Sequence, residues 1–548
     1  MQSLLESLAK TGRESVSLLI AGALANPGGL DISNYRESIA SWLIDYTGLC
    51  DAIPGKYSDY IPLVRDGLIF LFERISTERL LKILQSQANL SDEAQRGERL
   101  LCLAMEMPTL HKLGQVIARN PHMDPKFKQF LVRLEHGPLK SDIETLKNYI
   151  EREICGSLES FGLRLTNTMG CEASVATIVD FESIVDSARE GDTESASTEN
   201  TSNENPSFGK YVFKSVKPCV PSMLCEEMAI LDDFALTYEA NRLRYALRDF
   251  SFTDTLSDVK EALSKETDLR NEQENLRRAL AFYENLHYVR IPRLAPYLTQ
   301  SVTAMEKING TAITETQLGG LEKKFWAERL FKAIVCHPIF SPLSDAIFHG
   351  DPHGGNIFLT AVSDERRRQI ALLDWSQAGQ LGKAQRYDFV RLAIGLTIRD
   401  RGIVLDSIAA LSENAKNLNP EIITSIRGEI ENTLSNPLTS ILVRSLNLLD
   451  GISLKGVKFP YTLLLFRKAI FTLTGVINDL DPDFDMDGCL FKFMASVFTE
   501  ELPKRFFNML QPAADDPMGF RSSISNRELI DYACRLWLKT LPWSIPSF

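Results

Sequence analysis

Most of the information in this 548-residue chain lies in two segments, Phe348-His349-Gly350-Asp351-Pro352-His353-Gly354-Gly355-Asn356 and Leu372-Leu373-Asp374-Trp375-Ser376. Asp351 is followed five residues later by Asn356, and Asp374 comes after a further strand-like segment. All three side chains carry hard oxygen atoms, the ligand type that Mg²⁺ prefers in proteins. The spacing predicts a site that handles a metal-bound phosphate group.

The residues between these segments predict a β-hairpin. Residues 356–360 and 370–374 have the composition of strands, and residues 363–369 are polar and charged, as in a solvated turn. An antiparallel pairing would place Asn356 beside Asp374 at one end of the hairpin, with Asp351 on the preceding loop. Protein kinases have a catalytic Asp, a metal-binding Asn and the DFG Asp in this order. The simpler alternative, an Asp-rich turn that binds no metal, does not account for the following apolar strand that ends in Asp374.

Composition and charge exclude several classes of protein. The formal net charge of −12 argues against broad nucleic-acid binding, which needs a basic surface. The nine cysteines are odd in number and form no C-x-x-C pair, which indicates free thiols in a reducing compartment. No stretch reaches about 18 uninterrupted apolar residues, and no signal peptide is visible. We therefore expect a cytoplasmic protein, and peripheral contact with a membrane is compatible with the sequence.

The predicted fold class is α+β, with a small β-containing lobe followed by a helical lobe. Residues 1–100 are predicted to form an added N-terminal helical region, residues 101–500 the main domain, and residues 501–548 a C-terminal helical tail. Residues 185–207 form a polar, acidic run that we expect to be a disordered insertion. From residue 320 onward, apart from the hairpin, we expect helices to the end.

Two charged elements precede the hairpin. Lys214 lies in a predicted strand over residues 209–217, where a buried ammonium group would need a carboxylate partner. Lys217 is the nearby alternative, and an exposed lysine on an edge strand is the simpler interpretation. Glu266 and Glu272 are expected to lie six residues apart on one helix, where they point about 120° apart and could serve different partners. An exposed charged helix face is the usual meaning of such a run.

Taken together, these elements resemble the UbiB/AarF family of atypical, protein-kinase-like proteins over about residues 100–500. The matching elements are, in chain order, Lys112-Leu113-Gly114-Gln115 (the KxGQ motif), residues 170–177 (an Ala-rich loop), Lys214, Glu266 and Glu272, Met305-Glu306, Asp351, Asn356 and Asp374. The resemblance implies a protein-kinase-like bilobal fold.

The resemblance also implies roles for individual residues. Residues that would hold the nucleotide are Ala173, Ser174, Lys214, Met305 and Glu306. Residues that would act in catalysis are Asp351, Lys214 and Glu272, which would pair with Lys214. Asn356 and Asp374 would bind the metal. A gate that disfavours protein substrates would be formed by Lys112, Gly114, Gln115 and Glu266.

The implied activity is Mg-ATP binding with ATPase or small-molecule phosphotransfer chemistry, in support of isoprenoid quinone (ubiquinone) biosynthesis or related lipid metabolism. ATP and Mg²⁺ are the implied cofactors, and a small phenolic compound or a lipid is the implied ligand. Two alternatives remain open. An aminoglycoside- or choline-kinase-like phosphotransferase would share the segment from His349 to Asn356 and the pair Asp374-Trp375. A nucleotide-binding pseudokinase acting as a chaperone would share the site without turnover.

The sequence departs from the family pattern at several positions. Glu172 lies in the loop that would contact phosphates, which is only partly Ala-rich. His353-Gly354-Gly355-Asn356 lacks the family's proline, and Asp374-Trp375-Ser376 replaces DFG. We therefore expect a divergent branch with a different acceptor or a slow turnover.

Overall fold

The structure is a computed structural model that describes residues 36–50, 55–91, 94, 96–110, 143–165, 171–172, 176–183, 211–245, 268–361, 368–414, 420–435, 440–511 and 515–540, with single positions between 253 and 267. The chain divides into two compact units. Unit one comprises Met1–Asn271 and Ala295–Lys307, and unit two comprises Glu272–Leu294 and Ile308–Phe548.

The helices of the described residues are α1 Arg36–Thr47, α2 Ile61–Arg74, α3 Thr77–Ala88, α4 Arg96–Met105, α5 Ile143–Glu153, α6 Val220–Ala240, α7 Arg242–Tyr245, α8 Arg270–Tyr283, α9 Gly320–Phe331, α10 Lys383–Thr397, α11 Arg401–Leu411, α12 Pro420–Ser435, α13 Ile441–Ser453, α14 Tyr461–Leu480, α15 Met486–Leu510 and α16 Asn526–Thr540. Helix α9 continues through a π-helical turn at Lys332–Cys336 to His337–Ile339. None of the helices described is long and apolar enough to cross a membrane.

The strands are β1 Leu163–Leu165, β2 Cys171–Glu172, β3 Ala176–Ser183, β4 Tyr211–Val216, β5 Val289–Arg290, β6 Leu294–Leu298, β7 Val302–Glu306, β8 Gly310–Ala312, β9 Asp345–His349, β10 Ile357–Thr360, β11 Ile370–Leu372 and β12 Ala378–Gly382. Together with the helices they form an α+β, kinase-like fold, as the sequence predicts.

Unit one is built on a six-stranded sheet with the order β1-β3-β4-β7-β6, and β2 pairs with β3. Strand β4 is antiparallel to both β3 and β7 and lies in the middle of the sheet. Phe213 of β4 stacks on Phe181 of β3 with ring centroids 4.0 Å apart, in a buried cluster that also includes α5 residues. Because side chains alternate along a strand, Lys214 lies on the face opposite to Phe213.

The N-terminal helices of unit one are tied to α6 by a buried charge cluster. Glu227 of α6 has no exposed surface, and its carboxylate forms an ion pair with Arg79 of α3. The same carboxylate accepts hydrogen bonds from the backbone N–H (3.0 Å) and the hydroxyl of Thr109. Arg79 also bonds Glu226 at 2.8 Å. Helix α3 is therefore joined to α6 by a buried ion pair, and helices α1 to α4 share an apolar core with α6.

Unit two contains two small sheets among helices, with the orders β5-β11-β10-β8 and β12-β9. The second sheet was not expected from the sequence, which predicts helices around the hairpin. Strand β12 carries Gly379, where a Cβ atom would lie 2.2 Å from the Phe348 ring of β9. A strand that needs glycine for close packing lacks the β-branched pattern by which strands are recognised.

The prediction that Glu266 and Glu272 share one helix stays a prediction at Glu266. Glu266 lies outside the described residues, and Asp268 and Leu269 are not helical. Helix α8 begins at Arg270, and the Asp268 carboxylate accepts the Arg270 backbone N–H at 3.1 Å. Asp favours such helix starts because it satisfies a backbone donor that has no partner within the helix.

Candidate active site

The hairpin of unit two has the predicted antiparallel pairing. Ile357 lies opposite Leu372, and the Leu373 backbone N–H donates to the Asn356 carbonyl at 2.8 Å. Asn356 is therefore beside the residue that precedes Asp374. Its side-chain amide donates to the Asp351 carbonyl at 3.2 Å, which fixes the loop before the hairpin. The structure thus brings Asp351, Asn356 and Asp374 together at one end of the hairpin.

Asp374 has a left-handed backbone, with φ of 52°. Strand β11 ends at Leu372, two residues earlier than the sequence predicts, because this conformation cannot continue a strand. The Asp374 carboxylate accepts the Ser376 backbone N–H at 3.1 Å, a local bond that Asp and Asn form readily in such turns. This turn sets the direction in which the carboxylate points.

His349 joins the two segments from within the core. It is fully buried, and its Nε2 lies 2.7 Å from the Leu373 carbonyl oxygen while its Nδ1 accepts the Asp351 backbone N–H at 3.2 Å. These two bonds require the neutral tautomer with the proton on Nε2. Burial lowers the pKa of His349, although the Leu373 carbonyl and the carboxylates of Asp374 and Asp351 oppose that effect. Neutral His349 therefore joins the backbone at Leu373 to the backbone at Asp351 by two hydrogen bonds.

Lys468 of α14 brings a positive charge to the loop that carries Asp351. Its Nζ lies 3.1 Å from Oδ2 of Asp351 and donates to Oε1 of Gln377 at 2.6 Å. Gln377 is held in turn, because its carbonyl accepts the Gly350 backbone N–H at 2.8 Å. A Cβ atom at Gly350 would lie 2.8 Å from that carbonyl oxygen, so the close approach needs glycine.

Trp375, the residue that follows Asp374, is anchored in the core. Its ring is fully buried, packs edge-on against His349 with centroids 4.9 Å apart, and donates through Nε1 to the Leu372 carbonyl at 3.1 Å. Asn275 of α8 donates to the Trp375 carbonyl at 3.0 Å. A tryptophan in place of the Phe of DFG is therefore a packed, hydrogen-bonded part of this core.

Unit one holds the residues predicted to contact the nucleotide. Lys214 is buried and lies in register with Ile178 on one side and Thr303 on the other. Thr303 lies directly opposite Lys214 and therefore points to the same face of the sheet. Because side chains alternate along β7, Met305 lies on that face too. Glu306 ends β7 on the other face. The structure therefore places Lys214 and Met305 on one sheet surface.

Several predicted residues lie outside the described part of the chain. These are Lys112, Gly114 and Gln115, the loop residues Ala173 and Ser174, and Glu266. Glu272 is described: it is buried in the first turn of α8, in unit two. Its predicted pairing with Lys214 of unit one stays a prediction, as do the metal-binding and gate assignments.

The donor set at the end of the hairpin is suited to Mg²⁺. Asn356 uses its amide nitrogen toward Asp351, so its amide oxygen is the end that can coordinate a cation, and Asp374 supplies a carboxylate. Within the described ranges, no group of three or more His, Cys, Asp and Glu side chains could hold a metal by itself. Mg²⁺ typically needs only one or two protein oxygens when phosphate and water complete its shell.

Residues 209–408 match the model of the ABC1 atypical kinase-like domain, a range that includes Lys214, Glu272, Asp351, Asn356 and Asp374. The chain belongs to the UbiB/ABC1 family. The predicted membership is confirmed, and with it the assignment to a kinase-like class of proteins.

The relatives within the UbiB/ABC1 family are distant. An uncharacterised Clostridium pasteurianum protein, named for the 5′ region of hydrogenase 1, is 22% identical over 402 residues, which cover 71% of this chain and 68% of the relative. A probable protein kinase UbiB of Actinobacillus pleuropneumoniae is 23% identical over 400 residues, 71% of this chain and 69% of the relative. A solved Mycobacterium tuberculosis protein in complex with erythromycin is 12% identical, with a TM-score of 0.41 over 79% of this chain and 96% of that one.

Sequence reasoning missed the part that Lys468, Gln377 and Asn275 play in the site. A signal for Lys468 was present: residues 461–476 are a largely apolar helical run that Arg467 and Lys468 interrupt. Charged side chains in a buried helix need partners. Lys468 finds Asp351, and Arg467 forms an ion pair with Asp450 of α13.

Proposed function

We propose that this protein binds Mg-ATP and transfers or hydrolyses the terminal phosphoryl group, in support of isoprenoid quinone or related lipid metabolism. The observation that carries the proposal is the convergence of Asp351, Asn356 and Asp374 at one end of the β10–β11 hairpin. They meet through the Asn356 bond to the Asp351 carbonyl and the pairing of Asn356 with Leu373. Membership of the kinase-like family supports the nucleotide chemistry.

In this proposal the residues of unit two position the reacting groups. Asn356 and Asp374 hold the metal, and the left-handed turn at Asp374 keeps its carboxylate directed by the bond to the Ser376 N–H. Asp351 orients the acceptor, either water or a small hydroxyl compound. Lys468 lies 3.1 Å from Asp351 and holds its carboxylate in place, which suits orientation of the acceptor. When bound, Mg²⁺ would neutralise charge that develops on the phosphoryl oxygens.

Lys214 is proposed to contact the phosphates, and Met305 the base, from the sheet of unit one. Both lie on the same face of that sheet, and Lys214 is buried. A buried lysine in a sheet is otherwise costly, so its retention is best explained by an anionic partner or ligand. The pairing of Lys214 with Glu272 is part of the same proposal.

Nucleotide binding by the Asp374→Asn variant tests the proposal. Asn tolerates the left-handed backbone and keeps the size of the side chain, so the variant should fold. We expect the wild-type protein to bind ATP with Mg²⁺ and much more weakly with EDTA, and the variant to lose the Mg²⁺-dependent part. Asp483→Asn is the matched control, since Asp483 is an exposed loop residue outside the site. Unchanged Mg²⁺-dependent binding by Asp374→Asn would refute the proposal.

Turnover distinguishes the alternatives. ATP hydrolysis is measured with and without simple phenols that resemble quinone precursors, and with lipid vesicles. A rate that rises with phenol or lipid supports the proposed metabolic role, whereas phosphorylation of an aminoglycoside or choline supports the small-molecule phosphotransferase. Tight nucleotide binding without turnover under all conditions would favour a pseudokinase.

A further inference from the structure

Two thiols of unit two meet where the π-helical turn after α9 contacts the start of α15. Cys336 ends the turn Lys332–Cys336 and has no exposed surface, and Cys489, in the first turn of α15, is 7% exposed. Both are free thiols, and the Cys336 thiol donates a hydrogen bond to the Cys489 sulfur. The two residues are far apart in the sequence, so the fold and not a local motif brings them together.

Aromatic contacts hold the two elements together on both sides of the thiol pair. Before the pair in the sequence, the ring of Phe331 packs against Phe484 with centroids 5.6 Å apart. After it, the ring of Phe493, one helical turn beyond Cys489, packs edge-on against His337 with centroids 5.0 Å apart. Because protein interiors are close-packed, these contacts leave the turn and the helix little room to separate. The two sulfur atoms are therefore held beside each other without a covalent bond.

The surroundings of the pair favour negative charge on Cys489. The hydrogen bond from the Cys336 thiol, together with the positive charges of Lys332 and Lys492, lowers the pKa of Cys489, although burial and Glu328 oppose that effect. Burial and the same hydrogen bond raise the pKa of Cys336, which therefore keeps its proton. The thiolate is the form of cysteine that attacks an oxidant, whereas a cysteine buried in apolar surroundings is inert. The pair thus combines a nucleophilic sulfur with a protonated thiol next to it.

We propose that Cys489 and Cys336 form a redox-active dithiol that hydrogen peroxide oxidises to a disulfide. The Cys489 thiolate attacks one peroxide oxygen, the O–O bond breaks, and the leaving hydroxide takes up a proton to give water, so that Cys489 becomes a sulfenic acid. The Cys336 thiol then attacks the Cys489 sulfur, the S–O bond breaks, and a second water leaves as the S–S bond forms. Two thiols have then lost two electrons and two protons, and the peroxide is reduced to two waters.

Exposure sets the order of the two steps. Cys489 keeps a small part of its surface in contact with solvent, whereas Cys336 has none, so a peroxide molecule meets Cys489 first. In a reducing compartment a disulfide of this kind is transient, because cellular thiols reduce it again. The dithiol includes none of the residues Asp351, Asn356 and Asp374, so its test does not depend on the phosphotransfer proposal.

The test is treatment of the full chain with hydrogen peroxide, after reduction with dithiothreitol and removal of that reductant. Remaining thiols are blocked with N-ethylmaleimide, and the tryptic peptides are analysed by mass spectrometry. A parallel sample contains dimedone, which reacts with sulfenic acids. We compare the wild type with Cys336→Ala and Cys489→Ala, and the matched control is Cys534→Ala, at an exposed cysteine of α16. Thermal unfolding checks that the variants fold.

We expect wild type and control to form a cross-link between the peptides of Cys336 and Cys489, which dithiothreitol reverses. Cys336→Ala should give a dimedone adduct at Cys489, because the sulfenic acid then lacks its second thiol. Cys489→Ala should lose the Cys336 thiol about 10-fold more slowly than the wild type does.

Absence of the cross-link in the folded wild-type protein would overturn the proposal, since the two cysteines would then only fill space in the core. A cross-link that forms only in urea would also overturn it. So would loss of the Cys336 thiol at an unchanged rate in Cys489→Ala, because the peroxide would then not react through Cys489.

Discussion

The ammonium group of Lys468 lies 3.1 Å from a carboxylate oxygen of Asp351, and the two residues come from a helix and a loop far apart in the sequence. The ammonium is also anchored by Gln377, so its position does not depend on Asp351 alone. The loop that carries Asp351 therefore has an attached cation that the motif Asp-x4-Asn does not predict.

Replacing this cation should slow the reaction without weakening nucleotide binding. We predict that Lys468→Met lowers the turnover number by about 10- to 100-fold, because Asp351 loses the group that fixes its direction. The dissociation constant for Mg-ATP should stay within about twofold. Steady-state kinetics and equilibrium binding provide the two values, with Lys492→Met as a control at an exposed lysine of α15.

A purely structural lysine would behave differently. If Lys468 acts through Asp351, adding Lys468→Met to Asp351→Asn should cause little further loss of rate, since the two changes remove one interaction. Additive losses would contradict that role.

The left-handed backbone of Asp374 leads to a second prediction. We expect Asp374→Ala to lower the free energy of unfolding by about 1–2 kcal/mol more than Asp374→Asn, because alanine is strained at φ of 52° and cannot accept the Ser376 N–H. Urea unfolding of both variants measures the difference. Equal stability would mean that the turn relaxes when the side chain is shortened.

Gly379 and Gly428 form a matched pair for testing the packing of β9 on β12. At Gly379 an added methyl group would collide with the Phe348 ring, whereas at Gly428, inside α12, nothing lies within 4 Å. We predict that Gly379→Ala destabilises the protein by about 1–3 kcal/mol. Gly428→Ala should stabilise it by about 1 kcal/mol through helix propensity. Thermal unfolding measures both effects, and a neutral Gly379→Ala would contradict the tight strand packing.

His337 predicts a pH dependence of stability. Burial, together with the positive charges of Arg521 and Lys332, lowers the pKa of His337 to about 4, and its ring packs edge-on against Phe493. The unfolded chain, with a histidine pKa near 6.5, binds the proton more readily than the folded chain. The stabilisation is therefore complete above about pH 6.5 and is lost as the pH falls toward 4.

The measurement is the urea midpoint between about pH 7.5 and pH 4.5. We expect His337→Gln to lose less stability over this range than the wild type. His287→Gln, at an exposed histidine, should follow the wild type. Parallel curves for wild type and His337→Gln would rule out His337 as the source of the pH dependence.

Local patterns in the sequence predicted the hairpin, the strand that carries Lys214 and the kinase-like order of elements. The hairpin was predictable because Asn356 and Asp374 border two short apolar runs with a polar turn between them. The contact of Lys468 with Asp351 was not, because a charge within an apolar helix indicates that a partner exists but not which residue it is. Helix α8 begins at Arg270, where the Asp268 carboxylate accepts the backbone N–H. A run of charged residues with helical spacing does not show where such a helix begins.

The Arg79–Glu227 pair has a consequence for how parts of this protein can be exchanged. A chimera that takes its first 100 residues from a relative without an arginine at position 79 would retain Glu227 at a position with no exposed surface and would lack the guanidinium that compensates it. Loss of one partner of a buried pair costs about 3–5 kcal/mol, a large share of the stability of a typical domain. Transplants between family members should therefore take α3 and α6 from the same parent. A transplanted kinase-like region should therefore keep its own N-terminal helices.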